Sequence, residues 1–271
     1  MLATPRNLSE RQPQPTSLRQ QYADFIEQRI EEFKEQLSRQ KLLSLGDEAV
    51  RELEVAPTDQ LVLTEVLVHD HVDRIIKNRL KLPTFRRWRE RHVKLRRAQQ
   101  QPTHWGLDTD TPLKGLAHCL EEHDLALVVG AGAEPAGLFL AAHDARVLFI
   151  DRELPFVEAA ESRAASESLG LRFEALVVAF GAWFPPEVEP AVVVIDPLTL
   201  GKLERPLMTE LVNLLQERTV GGGAHVITTS PGAQDVVPVA PDAMQSMYNG
   251  WVVDRGSRAG RTRWFSARKP Q

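Results

Sequence analysis

The residues with the clearest chemical potential form the stretch Gly130-Ala131-Gly132-Ala133-Glu134-Pro135-Ala136-Gly137. It follows an apolar run, Leu125 to Val129, and opens a segment of helical character. Small residues at such a bend let the backbone come close to a bound nucleotide, and the start of a helix offers N–H groups without intrahelical partners. Asp151 stands 21 residues after Gly130, at the end of the next apolar run, where its carboxylate can accept hydrogen bonds from two ribose hydroxyls. Asp196 ends a later run. Ligands of open α/β sheets sit beyond the carboxyl ends of strands, so Asp196 is the candidate for a general base. A plainer reading stands beside this one: the glycines make a tight strand-to-helix turn, Asp151 caps the next helix, and Asp196 caps the Pro197-Leu198-Thr199 turn.

Three other clusters carry chemistry. In His69-Asp70-His71 with Asp73, two ligand-type side chains, His69 and Asp73, lie four apart on one helix face. A metal site needs three or four ligands and no second cluster accompanies these, so no metal is expected and a solvated helix face is the preferred reading. Residues 74–97 hold eleven Lys or Arg against a single acid, Glu90. Such a density suits nucleic-acid phosphates or an acidic protein surface, or else pairs internally with Glu27, Glu31, Glu32 and Glu35 or with an acidic domain. His104-Trp105 reads as part of a ligand wall or as a packing tryptophan.

The elements that position these residues are legible from periodicity. Residues 1–16 read as an arm with little to bury. From Leu18, apolar side chains recur at Tyr22, Phe25, Ile26, Ile30, Phe33 and Leu37, the spacing of one helix face, with Thr16 or Ser17 as its cap. A shorter helix is expected over Asp47 to Val55 after Gly46, a longer one from Pro57-Thr58-Asp59 through Leu80, and a further one from Pro83-Thr84, with Phe85, Trp88, His92 and Leu95 on one side. After Trp105-Gly106 the texture changes. Short apolar runs at 125–129, 145–151, 171–178, 191–196 and 224–229 alternate with helix-length stretches, the signature of βαβ units and a parallel sheet. The runs 251–255 and 261–268 flank a Gly-rich hairpin turn, Gly256 to Gly260. The expected organisation is an arm at 1–16, a helical cap or lid at 17–106, and an α/β domain at 107–271.

On these motifs the chain resembles the class I S-adenosylmethionine-dependent methyltransferases over residues 115–270. The resemblance rests on VVGAGAEPAG, on FID ending the second strand, on VVVIDP as the fourth strand, on GGGAHVITTS as the fifth, and on the closing antiparallel hairpin from WVVDR to RWFSARKP. It implies a doubly wound, mostly parallel seven-stranded sheet with a C-terminal antiparallel hairpin, and S-adenosylmethionine as cofactor. It further implies that the loop Gly130, Ala131 and Gly132 lies against the methionine portion, that Asp151 holds the ribose, and that Phe180, Gly181, Ala182 and Trp183 line the adenine pocket. Glu134, Arg152 and Asp196 are further cofactor-binding candidates. The chain differs from the family pattern at Val128, where an acidic residue is common, at Glu134, where a third glycine is common, and at Phe180, where an acidic residue commonly reads adenine.

Methyl transfer to a small-molecule acceptor is the leading functional expectation. A methyltransferase-fold scaffold or regulatory subunit without catalysis is the first alternative, motivated by those three differences. An NAD(P)-binding oxidoreductase is the second, although a Tyr-x-x-x-Lys pair and a second substrate domain are missing from the sequence. Composition bounds the rest. With 42% hydrophobic and 26% charged residues in 271, the chain has globular texture. Residues 1–120 carry 20 Lys and Arg against 17 Asp and Glu, and the remainder 13 against 20, a contrast that fits two units. The single cysteine, Cys119, forms no intrachain disulfide and reads as a buried bystander. Apolar runs are strand-sized rather than membrane-sized, so a cytoplasmic protein is expected, and the first amphipathic helix offers a homodimer surface.

Overall fold

The computed structural model describes residues 17–55, 65–121, 124–228, 245–258 and 261–271. The chain divides into two compact units, one up to Leu95 and one from Arg96 onward.

The first unit is helical: α1 (Leu18–Glu35), α2 (Arg39–Val55), α3 (Glu65–Arg79) and most of α4 (Phe85–Gln99). Ser17 caps α1 by accepting the Gln20 N–H at 3.2 Å, which satisfies one of the orphan donors of the first turn. Ile30, Leu45, Ala49, Ile75 and Ile76 form a small apolar core. A second, aromatic cluster joins Tyr22, Phe25, Phe85, Trp88 and His92, with the Trp88 and His92 rings stacked at 4.7 Å. The Tyr22 hydroxyl donates to the Pro83 carbonyl at 2.9 Å, tying α1 to the turn that starts α4. Helix α2 begins at Arg39, well before the expected Asp47, and runs through Gly46. A helix-interior glycine costs about 1 kcal/mol relative to alanine. Burial of Leu45 and Ala49, four apart on the core side, outweighs that cost. The start signal at Pro57-Thr58-Asp59 lies outside the described residues.

The second unit carries β1 (Leu125–Val129), β2 (Arg146–Asp151), β3 (Phe173–Val177), β4 (Val192–Ile195), β5 (Ala224–Thr228), β6 (Val252–Arg258) and β7 (Arg261–Arg268). They form one sheet in the order β3-β2-β1-β4-β5-β7-β6, with β7 antiparallel to both β5 and β6 and the other pairs parallel. The alternation of side chains decides the layers. Ala126, Val128, Val147, Phe149, Phe173, Val192 and Val194 face α5 (Leu113–Cys119), α6 (Glu134–Ala142) and α7 (Leu154–Ser166). Leu127, Val129, Leu148, Ile150, Val193 and Ile195 face α8 (Pro197–Gly201) and α9 (Arg205–Arg218). A sheet buried on both faces explains why its strands read as continuous apolar runs. Trp105 is absorbed into the first of these cores, its indole N–H donating to the Gln99 carbonyl at 2.6 Å. Two expectations are corrected. Cys119 is an exposed free thiol, because it is the last residue of a short helix whose buried positions are Leu113 and Ala117. The hairpin is tighter than its glycines suggested: β6 continues to Arg258 through a register shift at Gly256/Ser257, which absorbs the irregularity within the ladder.

The second core also encloses a polar chain. His225 on β5 is fully buried, with Nε2 2.8 Å from the Thr219 hydroxyl and Nδ1 2.9 Å from the Tyr248 hydroxyl. Thr219 donates its own proton to the Leu215 carbonyl at 2.6 Å, so its oxygen accepts from His225 Nε2–H, and Nδ1 accepts from Tyr248. Both ring nitrogens are thus satisfied with the imidazole neutral, the form that burial favours. Among the described residues no helix is long and apolar enough to cross a membrane.

Candidate functional site

The carboxyl ends of β1, β2 and β4 converge where the strand order reverses direction, the position at which doubly wound sheets bind ligands. The chain leaves β1 at Gly130 with φ of 90°, a backbone conformation that side-chain-bearing residues rarely adopt. The Gly130 N–H still donates to the Ile150 carbonyl at 2.9 Å, which continues the ladder with β2 into the loop. A short 3₁₀ turn, Ala131–Ala133, then leads into α6, whose first turn holds Pro135 where a missing N–H costs nothing.

Two buried carboxylates fasten this loop. Asp151 Oδ2 accepts the Ala131 N–H at 2.9 Å, and Oδ1 accepts the Glu153 N–H at 2.9 Å, closing the turn just ahead of α7. Asp196 Oδ2 accepts the Gly132 N–H at 3.2 Å and the Thr199 hydroxyl at 2.9 Å, while Oδ1 accepts the Leu198 N–H at 3.0 Å as the N-cap of α8. The approach is close. A Cβ on Gly132 would lie 2.6 Å from Asp196 Oδ1, and one on Gly130 would collide with Thr199 Oγ1. Glycine is required at both positions by these neighbours within the protein.

The structure thus brings together Gly130, Ala131, Gly132, Asp151 and Asp196. The other sequence candidates lie in different surroundings. Glu134 turns to Arg163 on α7, with Nη1 and Oε2 3.0 Å apart; its burial pushes the carboxyl pKa up, and the guanidinium opposes that shift. Arg152 is exposed. Phe180 is buried in the core against α9 and is therefore not open for stacking on a base. Gly181 and Ala182 are exposed in the turn that follows β3, where Ala182 and Trp183 both donate N–H groups to the Ala179 carbonyl. His71 is buried with Nε2 2.8 Å from Glu52 and its ring beside Arg74, and Asp73 pairs with Lys34 at 2.8 Å. Among the described residues no three His, Cys, Asp or Glu side chains converge as metal ligands. Of the basic run, Arg79 pairs with Glu48, Arg86 with Glu90 and Arg96 with Asp144, rather than with the acids of α1.

Sequence reasoning missed Thr199 as part of the site. The spacing Asp196-x-x-Thr199 directly after a strand was a usable signal, since a capping aspartate places the residue three further on beside its own carboxylate. Arg163 left no such signal, because it meets Glu134 only through the packing of α6 beside α7.

The strand order, with β7 inserted antiparallel between β5 and β6, is the mostly parallel seven-stranded sheet with a C-terminal antiparallel hairpin that the sequence resemblance implied. No protein-family profile matches the chain, and no curated protein matches it. Solved structures similar to it include a candidate O-methyltransferase from Nostoc punctiforme (14% identity, 58% of this chain and 56% of that one, TM-score 0.47). The N-methyltransferase NodS from Bradyrhizobium japonicum is also similar (15% identity, 68% and 96%, TM-score 0.43). So is an RNA methyltransferase from Salinibacter ruber in complex with S-adenosyl-L-homocysteine (17% identity, 59% and 88%, TM-score 0.41). The match spans little more than half of the Nostoc protein's length.

Proposed function

We propose that the second unit binds S-adenosylmethionine and transfers its methyl group, with a small molecule as acceptor. The observation that carries this reading is the pair of buried carboxylates, Asp151 and Asp196, each accepting an N–H of the Gly130–Gly132 loop. Two carboxylates at one loop create a negative potential at the strand ends, which favours a ligand bearing positive charge on sulfur and nitrogen. A dinucleotide needs the reverse arrangement, because its pyrophosphate must take the loop N–H groups that Asp151 and Asp196 already hold. This argues against the NAD(P) alternative.

The residues fit the ribose as well. Asp151 receives two N–H donors, and an ionised carboxylate offers about four acceptor positions, so two remain for adjacent hydroxyls. When bound, the cofactor supplies a methyl group already activated by the positive sulfur. The protein's task is then to hold an acceptor atom in line with it, and well-oriented groups reach effective concentrations of about 10⁵ M or more. Asp196 accepts three hydrogen bonds from its own surroundings, so its role here is to position the loop and α8 rather than to remove a proton.

One observation favours a second reading, a methyltransferase-fold scaffold without catalysis. Asp196 and Thr199 stand directly against Gly130 and Gly132, which is how a loop closed by the protein's own side chains looks. Calorimetric titration of the full chain with S-adenosylhomocysteine, with NADH in parallel, separates the readings. Heat with the first and none with the second is the expected result; silence with both S-adenosylhomocysteine and S-adenosylmethionine hands the protein to the scaffold reading.

A further inference from the structure

The outer side of α4 is a row of cations that the fold does not use. Arg87, Arg91 and Lys94 are spaced four and three residues apart, which places them on one ridge about 10 Å long at 1.5 Å rise per residue. All three are exposed, and none has an acidic partner among the described residues. The acid on this helix, Glu90, is occupied by Arg86 at 3.2 Å. Like charges three and four apart destabilise a helix, so this row works against the stability of α4.

The opposite side of the helix holds the row in place. Trp88 is 9% exposed and packs on Tyr22, Phe25, Phe85 and His92. Two further cations are drawn to that cluster: the Arg19 guanidinium lies 5.3 Å from the Phe85 ring centre, and the Lys77 ammonium 5.7 Å from that of Tyr22. The charged ridge is therefore borne on a packed helix rather than a free arm.

We infer that the Arg87–Arg91–Lys94 ridge binds nucleic acid through the phosphate backbone. A protein partner would need an apolar centre with aromatic anchors, and the aromatic side chains of α4 point into the packed cluster, leaving Val93 as the exposed apolar residue on the outer side. A polyanion needs only the cations. Two of the three are arginines, whose planar forks match phosphate oxygens bidentately. Binding also relieves the like-charge repulsion along the helix. This inference stands apart from the reading of the second unit and survives if no cofactor binds there.

Fluorescence anisotropy of the full chain with a labelled 20-nucleotide single-stranded RNA and a labelled 20-base-pair DNA duplex tests it. Three phosphate contacts give a slope of log affinity on log salt of about −2 for the single strand and about −2.7 for the duplex. Affinity should then fall roughly 20- to 40-fold between 50 and 200 mM salt. The stronger of the two probes identifies the kind of nucleic acid. The double variant Arg87→Glu/Lys94→Glu, both exposed and so compatible with an unchanged melting temperature, should weaken binding at least tenfold and bring the slope to −1 or shallower. Three results would overturn the inference: no binding of either probe at 50 mM salt, affinity indifferent to the double variant, or tighter binding of a poly-glutamate peptide than of either nucleic acid.

Discussion

Acidification should destabilise the second unit through one buried histidine, and the effect can be worked out from the structure. Burial drives the His225 pKa from its ordinary 6.5 down to about 3; the Leu215 carbonyl pulls it up, and the Lys269 ammonium adds to the depression. Because the folded value is the lower one, the unfolded chain takes up the proton first. Stability from this group is complete above pH 6.5 and declines as pH falls toward 3. Each pH unit in that window costs about 1.4 kcal/mol, so about 2 kcal/mol is gone at pH 5 and about 5 kcal/mol at pH 3. Domains have about 5–15 kcal/mol in total, so the loss is large. The assay is urea denaturation between pH 7.5 and 5, above most carboxylate titration, on the natural chain and on His225→Gln. The variant starts lower but should show a flatter dependence on pH by about 2 kcal/mol over that interval. Parallel curves for the two proteins would refute the reasoning, because the histidine would then be protonated to the same extent folded and unfolded. Tyr248→Phe supplies an internal check: it leaves Nδ1 buried without its donor and should cost about 1–3 kcal/mol at pH 7.5.

Three further outcomes are expected at the strand ends. Asp151→Ala should weaken S-adenosylhomocysteine binding by about 1–3 kcal/mol, measured by calorimetry, because ribose hydroxyls lose their acceptor. Gly132→Val should abolish that binding and lower the melting temperature, since even a Cβ would stand 2.6 Å from Asp196. Asp196→Asn keeps an acceptor oxygen for the α8 cap, so under the positioning role it should retain most transferase activity once an acceptor is known. A loss of about 10³-fold or more without a drop in melting temperature would restore Asp196 as a base.

The architecture of the second unit was legible because its strands are buried on both faces. Runs such as Leu125–Val129 and Val192–Ile195 admit few other readings when helix-length stretches separate them. Boundaries were less legible where burial overrides local preference. Gly46 looked like a helix start, yet the burial of Leu45 and Ala49 carries α2 through it. Cys119 looked buried from its apolar neighbours, but its position at the end of α5 turns it outward. At the site, Gly130, Gly132 and Asp151 could be picked out because backbone conformation and strand-end position depend on residue type and local order. The inward turn of Phe180 could not, since it depends on α9 packing from far along the chain. The same holds for Thr219, His225 and Tyr248, whose contact requires a helix end, a strand and a later turn to meet.

The last strand in chain order, β7, is not at the border of the sheet but second from it, between β5 and β6. During synthesis, therefore, β5 emerges and waits with one side unzipped until Arg261–Arg268 has left the ribosome. Until then its backbone is open to any other strand that arrives, including the same segment of a neighbouring nascent chain. Truncation upstream of residue 261 would make that interval permanent, so shortened forms of this protein should accumulate as insoluble material rather than as a smaller soluble domain.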